Sequence, residues 1–154
     1  TLLALRDEGT QMPANAIVLS PLADLTNSGE SRIINKYRDP VLPARRLFEL
    51  QTMYIGDASP LDRVLSPVFA DFDGLPPILG QVGSTEILLD DSRRSAQRAS
   101  DADVPFYLEV WRDMPHVFSF FSILPEARIA IGRMAEFIRN SELDPLPEEF
   151  GWSD

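Results

Sequence analysis

The chain has 154 residues, no cysteine, and 24 acidic against 14 basic side chains, which gives a formal net charge of −10. That length suits a single domain. The negative charge and the lack of a basic run argue against a nucleic-acid surface and against electrostatic docking on anionic lipid. The absence of cysteine excludes disulfides, thiol nucleophiles and thiolate metal sites. No apolar run approaches membrane-spanning length, and no signal peptide is visible.

The first part of the chain mixes one strand pattern with interrupted helical patterns. It opens "TLLALRDEG", a helical pattern without an initiator Met that Gly9 closes, so we expect the tail of a helix that begins elsewhere and a chain that is a fragment. The apolar run "ANAIVLSP" (14–21) predicts a strand buried on both faces. Between Leu22 and Leu75 prolines interrupt the helical pattern, and short helices are expected at 29–36, 43–54 and 60–64.

The second part alternates strands with helices. Apolar runs predict strands at 76–84 and 104–111, and the latter alternates between two faces as an outer strand would. Polar-faced and amphipathic patterns predict helices at 90–102 and 124–140, and residues 141–154 are expected to trail along the surface as an acidic tail. Strands separated by helices indicate the α/β class with a parallel sheet and flanking helices.

Two polar side chains follow neighbouring strands of this predicted sheet. Glu86 comes just after the 76–84 strand, and His116, the only histidine, comes just after the 104–111 strand in "DMPHVF". Reactive groups in open parallel sheets gather beyond the carboxyl ends of the strands. A carboxylate there could hold the imidazole in one tautomer and stabilise its protonated form.

Other polar residues near these positions are weaker candidates. Asp90 is the alternative acid, although Asp90 and Asp91 stand at a helix start, where capping is the simpler role. Ser20 and Ser84 lack the glycine-flanked elbow of a nucleophile, and hydrogen bonding in a turn explains both better. Asp24 is interpreted as bracing loops. With one histidine and no cysteine, no metal site is expected.

Four segments together resemble one protein family. "LPPILGQVGSTEILLDDSRRSAQRA", "LEVWRDMPHVFSFF" and "LPEARIAIGRMAEFIR" are similar to the C-terminal part of bacterial esterases of the hormone-sensitive lipase family, and "ALRDEG…AIVLSPLADLTNSGES" is similar to the segment that follows the nucleophile. The resemblance covers about residues 1–140. It implies that these residues are the C-terminal portion of an α/β-hydrolase catalytic domain and that 141–154 lie outside it.

The resemblance also implies roles for single residues. The catalytic acid falls on Glu86, the first position of an acid-x-x-x-Asp pattern that ends at Asp90, and the catalytic base falls on His116. Further candidates, for contact with the substrate, are Leu22, Ile87 and Val117. The chain contains no G-x-S-x-G nucleophile elbow and no pair of adjacent glycines for an oxyanion loop. Both motifs lie upstream in the family.

The resulting hypothesis is a carboxylic ester hydrolase for short-chain acyl esters, acting through a Ser-His-Glu/Asp triad without a cofactor or metal. The chain alone is expected to be inactive, because the N-terminal half with the nucleophile is missing. The alternative is a catalytically inactive, hydrolase-like module that binds a small molecule or a partner. A homodimer through the 104–111 strand and a location in the bacterial cytoplasm are also expected.

Overall fold

A computed structural model describes residues 2–151 and contains a sheet of three parallel strands. The strands are β1 (Ala16–Leu19), β2 (Ile78–Gly83) and β3 (Phe106–Trp111), in the spatial order β1-β2-β3. Ala16 pairs with Ile78, and Ile78 in turn pairs with Phe106, so the three strands run side by side from one end. The expected parallel α/β sheet, with the third strand outermost, is confirmed.

Helices connect and flank the strands. They are α1 (Leu2–Asp7), α2 (Ser31–Ile34), α3 (Ala44–Ile55), α4 (Leu89–Asp101) and α5 (Pro125–Asn140), with short 3-10 turns at Pro67–Phe69 and Phe118–Phe120. Gly9 ends the first of these with φ of 66°, as the capping pattern predicts. Within residues 2–151 no helix is both long and apolar enough to cross a bilayer.

The prediction of a helix at 60–64 is wrong, because side chains there accept hydrogen bonds from nearby backbone N–H groups and form turns instead. The Asp62 carboxylate accepts the N–H groups of Val64 and Leu65, and the Ser59 hydroxyl oxygen accepts the N–H of Leu61. Such local bonds compete with the helical hydrogen-bond pattern and favour turns.

The central strand carries the core. All six residues of β2, including the polar Gln81, are buried, as predicted for this strand, because it is central in the sheet and α4 and α5 pack against it. The four residues of β1 are only partly buried, contrary to the expected burial on both faces. Among the described residues β1 pairs with β2 alone, so its other edge is open.

A second packing centre lies around Trp111 at the end of β3. Trp111 is fully buried, and the ring of Phe118 packs on it with centroids 5.2 Å apart. The neighbouring rings of Phe120 and Phe121 are instead 73% and 41% exposed. The tight 3-10 turn directs only one of the three rings inward.

The acidic tail, residues 141–154 of the sequence, makes contacts with the end of β3 that the sequence did not predict. Leu146 and Phe150 pack into the cluster around Trp111, and Gly151 forms an isolated antiparallel bridge to that residue. The backbone N–H of Arg112 donates to the Phe150 carbonyl at 2.8 Å. The segment therefore lies at the surface, as expected, with none of residues 141–151 buried, but it is also attached to the end of β3, which the sequence did not predict; residues 152–154 lie outside the described part.

Candidate active site

Glu86 and His116 meet beyond the carboxyl ends of β2 and β3. The Nδ1 atom of His116 lies 2.9 Å from Oε2 of Glu86. Glu86 is fully buried, whereas the imidazole is 17% exposed. Because an ionised carboxylate can only accept hydrogen bonds, this contact places the hydrogen on Nδ1 and leaves the Nε2 lone pair available. The two side chains that the sequence singled out are thus brought together.

The carboxylate of Glu86 is held from its other oxygen as well. Oε1 accepts the backbone N–H of Gly83 at 2.6 Å and the hydroxyl of Ser20 at 2.7 Å. The Asn35 amide donates to the carbonyl oxygens of Ser84 and Glu86, which secures the backbone of the same loop. With both oxygens engaged, the carboxylate has little freedom to rotate away from the imidazole.

The histidine loop is attached directly to the acid loop. The N–H of Asp113 donates to Ser84 Oγ at 2.9 Å, and Thr85 Oγ1 donates to the Met114 carbonyl at 2.8 Å. At Gly83 any Cβ would collide with that same carbonyl group, so only glycine permits this approach. Asp113 itself has φ of 55°, a left-handed conformation that suits glycine and that aspartate tolerates.

Asp90, the alternative acid, is engaged elsewhere. Its Oδ2 accepts the N–H of Ser31 at 2.8 Å, and its backbone N–H donates to the Ser31 hydroxyl oxygen. The expectation that Asp90 and Asp91 cap α4 is wrong, since both lie inside the helix, whose N-cap residue is Leu88. Asp90 instead bonds the first residue of α2, and this geometry favours Glu86 as the partner of His116.

The three candidate substrate contacts occupy different surroundings. Leu22 is 37% exposed and lines an apolar cavity of about 380 Å³ beside β1. Ile87 is fully buried and packs with Leu47 and Leu88, so its side chain supports the acid loop. Val117 follows His116 with φ of 48°, a strained conformation for a β-branched residue. Substrate contact at all three stays a prediction.

Two buried carboxylates, those of Asp24 and Asp91, are each paired with an arginine near these loops. Asp24 forms an ion pair with Arg94 at 2.6 Å, and Asp91 pairs with Arg32 at 3.1 Å. Burial by itself would raise the pKa of Asp24, but hydrogen bonds from Ser28, Thr26 and Arg94 outweigh it and hold that pKa well below its usual range. Asp24 therefore braces its loop, as the sequence predicts.

The pKa of Asp91 is shifted in the opposite direction, upward. Its Oδ2 accepts the N–H groups of Ala23 and Asp24, both at 2.9 Å, so it links α4 to the loop that follows β1. Burial raises the pKa of Asp91 from 3.8 to about 6, against the attraction of Arg32 and these hydrogen bonds.

This raised pKa predicts a pH-dependent stability. The folded protein holds the Asp91 proton more tightly than the unfolded chain, so its contribution is fully present below pH 3.8 and is lost as the pH rises through about 6. From about pH 4 to 7 the Asp91→Asn variant, which cannot ionise, should gain about 2 kcal/mol in unfolding free energy relative to the parent. Urea unfolding at both pH values measures this.

Asp24→Asn is the matched control for that series. The lowered pKa of Asp24 stabilises the fold above its unfolded pKa of 3.8, and this contribution is lost only on acidification below that pH, so between pH 4 and 7 the stability of this variant relative to the parent should change little. Parallel stability curves for the parent and Asp91→Asn would contradict the prediction.

Sequence reasoning missed one member of the site. Ser20, at the end of β1, was interpreted as bonding within a turn, yet its hydroxyl contacts Glu86 and the histidine loop. The rule that located Glu86 and His116, that polar groups follow the carboxyl ends of parallel strands, applies equally to Ser20. Only the strand order could show that it lies beside Glu86.

The arrangement provides general acid–base chemistry. Glu86 orients the imidazole, Nε2 can take a proton from a hydroxyl nucleophile, and the buried carboxylate can stabilise the imidazolium that forms.

Comparisons with known proteins agree with this geometry. Residues 1–120 match the alpha/beta hydrolase fold family. The chain is 40% identical over 141 residues to an acetyl-hydrolase of Streptomyces hygroscopicus. The aligned part is 91% of this chain and 47% of that protein. It is 40% identical over 144 residues to an esterase of Acinetobacter venetianus, covering 92% and 48% respectively.

Solved structures extend the comparison to the fold. The crystal structure of an esterase from the bacterial hormone-sensitive lipase family superposes with a TM-score of 0.86 at 45% identity, covering 90% of this chain and 47% of that one. The chain thus spans about half the length of the relatives it matches. The resemblance predicted from the sequence motifs is confirmed, and the chain belongs to the alpha/beta hydrolase fold family, among relatives that include the bacterial hormone-sensitive lipase esterases.

Proposed function

We propose that this chain supplies the acid and the base of a carboxylic ester hydrolase that works through a serine nucleophile. The observation that carries the proposal is the 2.9 Å contact between His116 Nδ1 and the buried Glu86 carboxylate, at the edge of the sheet where hydrolases of this fold react. The hydroxyl nucleophile and the oxyanion hole come from a part of the protein that is not in this sequence.

In the proposed reaction the serine oxygen attacks the ester carbonyl while Nε2 of His116 takes its proton. The imidazolium, stabilised by Glu86, then gives that proton to the departing alcohol oxygen, and an acyl-enzyme remains. Water attacks the acyl carbon next, His116 takes a proton from the water, and this proton returns to the serine as the carboxylic acid leaves.

The open edge of β1 supports a nucleophile supplied from outside. This strand pairs with β2 alone among the described residues, and an apolar cavity of about 380 Å³ runs along it. An unpaired apolar edge is unfavourable in water. We propose that a further strand of the complete protein covers it and carries the serine toward His116.

Short acyl groups are the proposed substrates. The supporting observation is a relative: the Streptomyces protein, 40% identical, is named an acetyl-hydrolase. The alternative of an inactive binding module is less favoured, because binding alone does not require a buried carboxylate aligned on a histidine.

A homodimer through β3 stays a proposal. Since the tail bridges to Trp111 at one end of that strand, the edge from Phe106 to Val110 is the part that could pair with a second copy.

Two assays test the function. The complete protein is expected to hydrolyse p-nitrophenyl acetate and butyrate faster than long-chain esters, whereas the purified 154-residue chain should show no turnover above the uncatalysed rate. An acid–base pair without a nucleophile and an oxyanion hole has nothing to activate. A folded complete protein that hydrolyses no ester would overturn the proposal, and so would turnover by the chain alone that His116→Ala abolishes.

A further inference from the structure

Ser20 forms hydrogen bonds both to Glu86 and to the backbone of the loop that carries His116. It directly follows β1 and is 4% exposed. Its hydroxyl donates to Glu86 Oε1 at 2.7 Å, and the same oxygen accepts the backbone N–H of Val117 at 3.1 Å. Its own N–H donates to the Gln81 carbonyl at 2.9 Å, which anchors it to β2. One side chain therefore joins the loops that follow all three strands.

The bond to Glu86 determines which oxygen faces the imidazole. With Ser20 and the Gly83 N–H both on Oε1, the other oxygen, Oε2, is turned toward His116. A hydrogen bond to a charged acceptor is stronger than one between neutral groups, and more so in a buried site. Removal of the hydroxyl would leave Oε1 with the backbone donor alone.

The bond to Val117 acts on the base from the other side. Val117 has φ of 48°, which a β-branched residue adopts only at a cost in free energy. The hydrogen bond from its N–H to Ser20 Oγ offsets part of that cost and fixes the backbone immediately after His116. The same oxygen atom thus secures the carboxylate and the loop that carries the imidazole.

We propose that Ser20 is a positioning residue that aligns Glu86 with His116, so that the imidazole is held in its working orientation before substrate binds. This role rests on the proposed ester hydrolysis. Ser20 is not the nucleophile: its proton is donated to Glu86, and His116 contacts Glu86 through the nitrogen that faces away from the reacting side.

The test is Ser20→Gly in the complete protein. Glycine adopts the φ of 46° seen at this position more easily than serine, so the backbone is retained while the hydroxyl is removed. For p-nitrophenyl butyrate we expect kcat to fall by about 10- to 100-fold, the effect of losing a hydrogen bond to a charged group, with KM changed by less than about threefold. Ser20→Ala, which keeps a Cβ, should lose the same activity.

A double-variant cycle separates positioning from a general structural effect. If Ser20 acts through Glu86, then adding Ser20→Gly to Glu86→Gln should lower kcat by less than about threefold beyond Glu86→Gln alone. Ser95→Ala is the matched control, because the described hydrogen bond of that buried hydroxyl is to the Asp91 carbonyl within its own helix, and the kcat of this variant should equal that of the parent.

An NMR measurement tests the role of Ser20 without relying on turnover. In the parent the Nδ1 proton of His116 should give a downfield NMR resonance that is absent from His116→Ala, and in Ser20→Gly that resonance should broaden or disappear. If the complete protein hydrolyses no ester, the proposed function fails, and this resonance still decides the role of Ser20. An unchanged resonance and kcat, full additivity with Glu86→Gln, or activity lost only in proportion to the folded fraction would each overturn the proposal.

Discussion

His116→Ala is expected to lower kcat of the complete protein by about 10⁴-fold or more, with KM for p-nitrophenyl butyrate nearly unchanged. The physical reason is that Nε2 is the proposed base for the nucleophile's proton, and no other imidazole exists in this chain. Steady-state kinetics on the purified variant, with the concentration of active sites determined separately, measures the effect.

The fold should tolerate this substitution. The imidazole is 17% exposed and its described hydrogen bond is to Glu86 alone, so thermal unfolding should occur within a few degrees of the parent. A variant that is folded and loses less than about tenfold in kcat would exclude His116 as the base.

Glu86→Gln is expected to cost about 10³- to 10⁴-fold in kcat, a loss that comes from the wrong tautomer. The amide oxygen of glutamine must take the position of Oε1, because Ser20 and Gly83 both donate there. The amide NH₂ group then faces Nδ1 and donates to it. The ring consequently carries its hydrogen on Nε2, where it can no longer accept a proton from the nucleophile.

Asp90→Asn is the matched control for this prediction, since it makes the same chemical change four residues away. Asp90 bonds Ser31 and does not contact the imidazole, so kcat should stay within about threefold of the parent. A large loss in Asp90→Asn together with a small loss in Glu86→Gln would reverse the assignment of the acid.

Much of the sheet could be predicted from local patterns. The run around Ile78 is almost entirely apolar because β2 is the buried central strand, and its one polar side chain, Gln81, is buried as well and donates to Glu109 and to the Ala130 carbonyl. The error at 60–64 has a local cause that composition hides: Asp62 and Ser59 can bond either a helix or a turn, and here they bond turns.

The tail shows where local patterns carry too little information. Its acidic and proline residues indicate exposure, but Leu146 and Phe150 pack on Trp111, a partner more than thirty residues away. Whether an isolated apolar residue in a polar segment is buried depends on the surface that the rest of the fold presents to it.

In the candidate site, too, local patterns predict some features and tertiary contacts decide others. Glu86 and His116 could be chosen from the sequence because each follows a predicted strand, and the carboxyl ends of parallel strands share one edge of a sheet. The choice between Glu86 and Asp90 could not be made from their spacing along the chain. It depends on Asp90 being occupied at the start of α2, a contact between residues 59 positions apart.

The amino-acid sequence by itself indicated the class of the fold, most of its strands and helices in chain order, and the pair of side chains proposed as acid and base, because hydrophobic periodicity and strand-end placement are local properties. Tertiary structure alone decided which carboxylate faces the imidazole, that Ser20 joins the two, and that Asp91 is buried beside an arginine. Those contacts connect segments that are distant along the chain, and hydrogen-bond directions and burial exist only once the strands have been packed side by side.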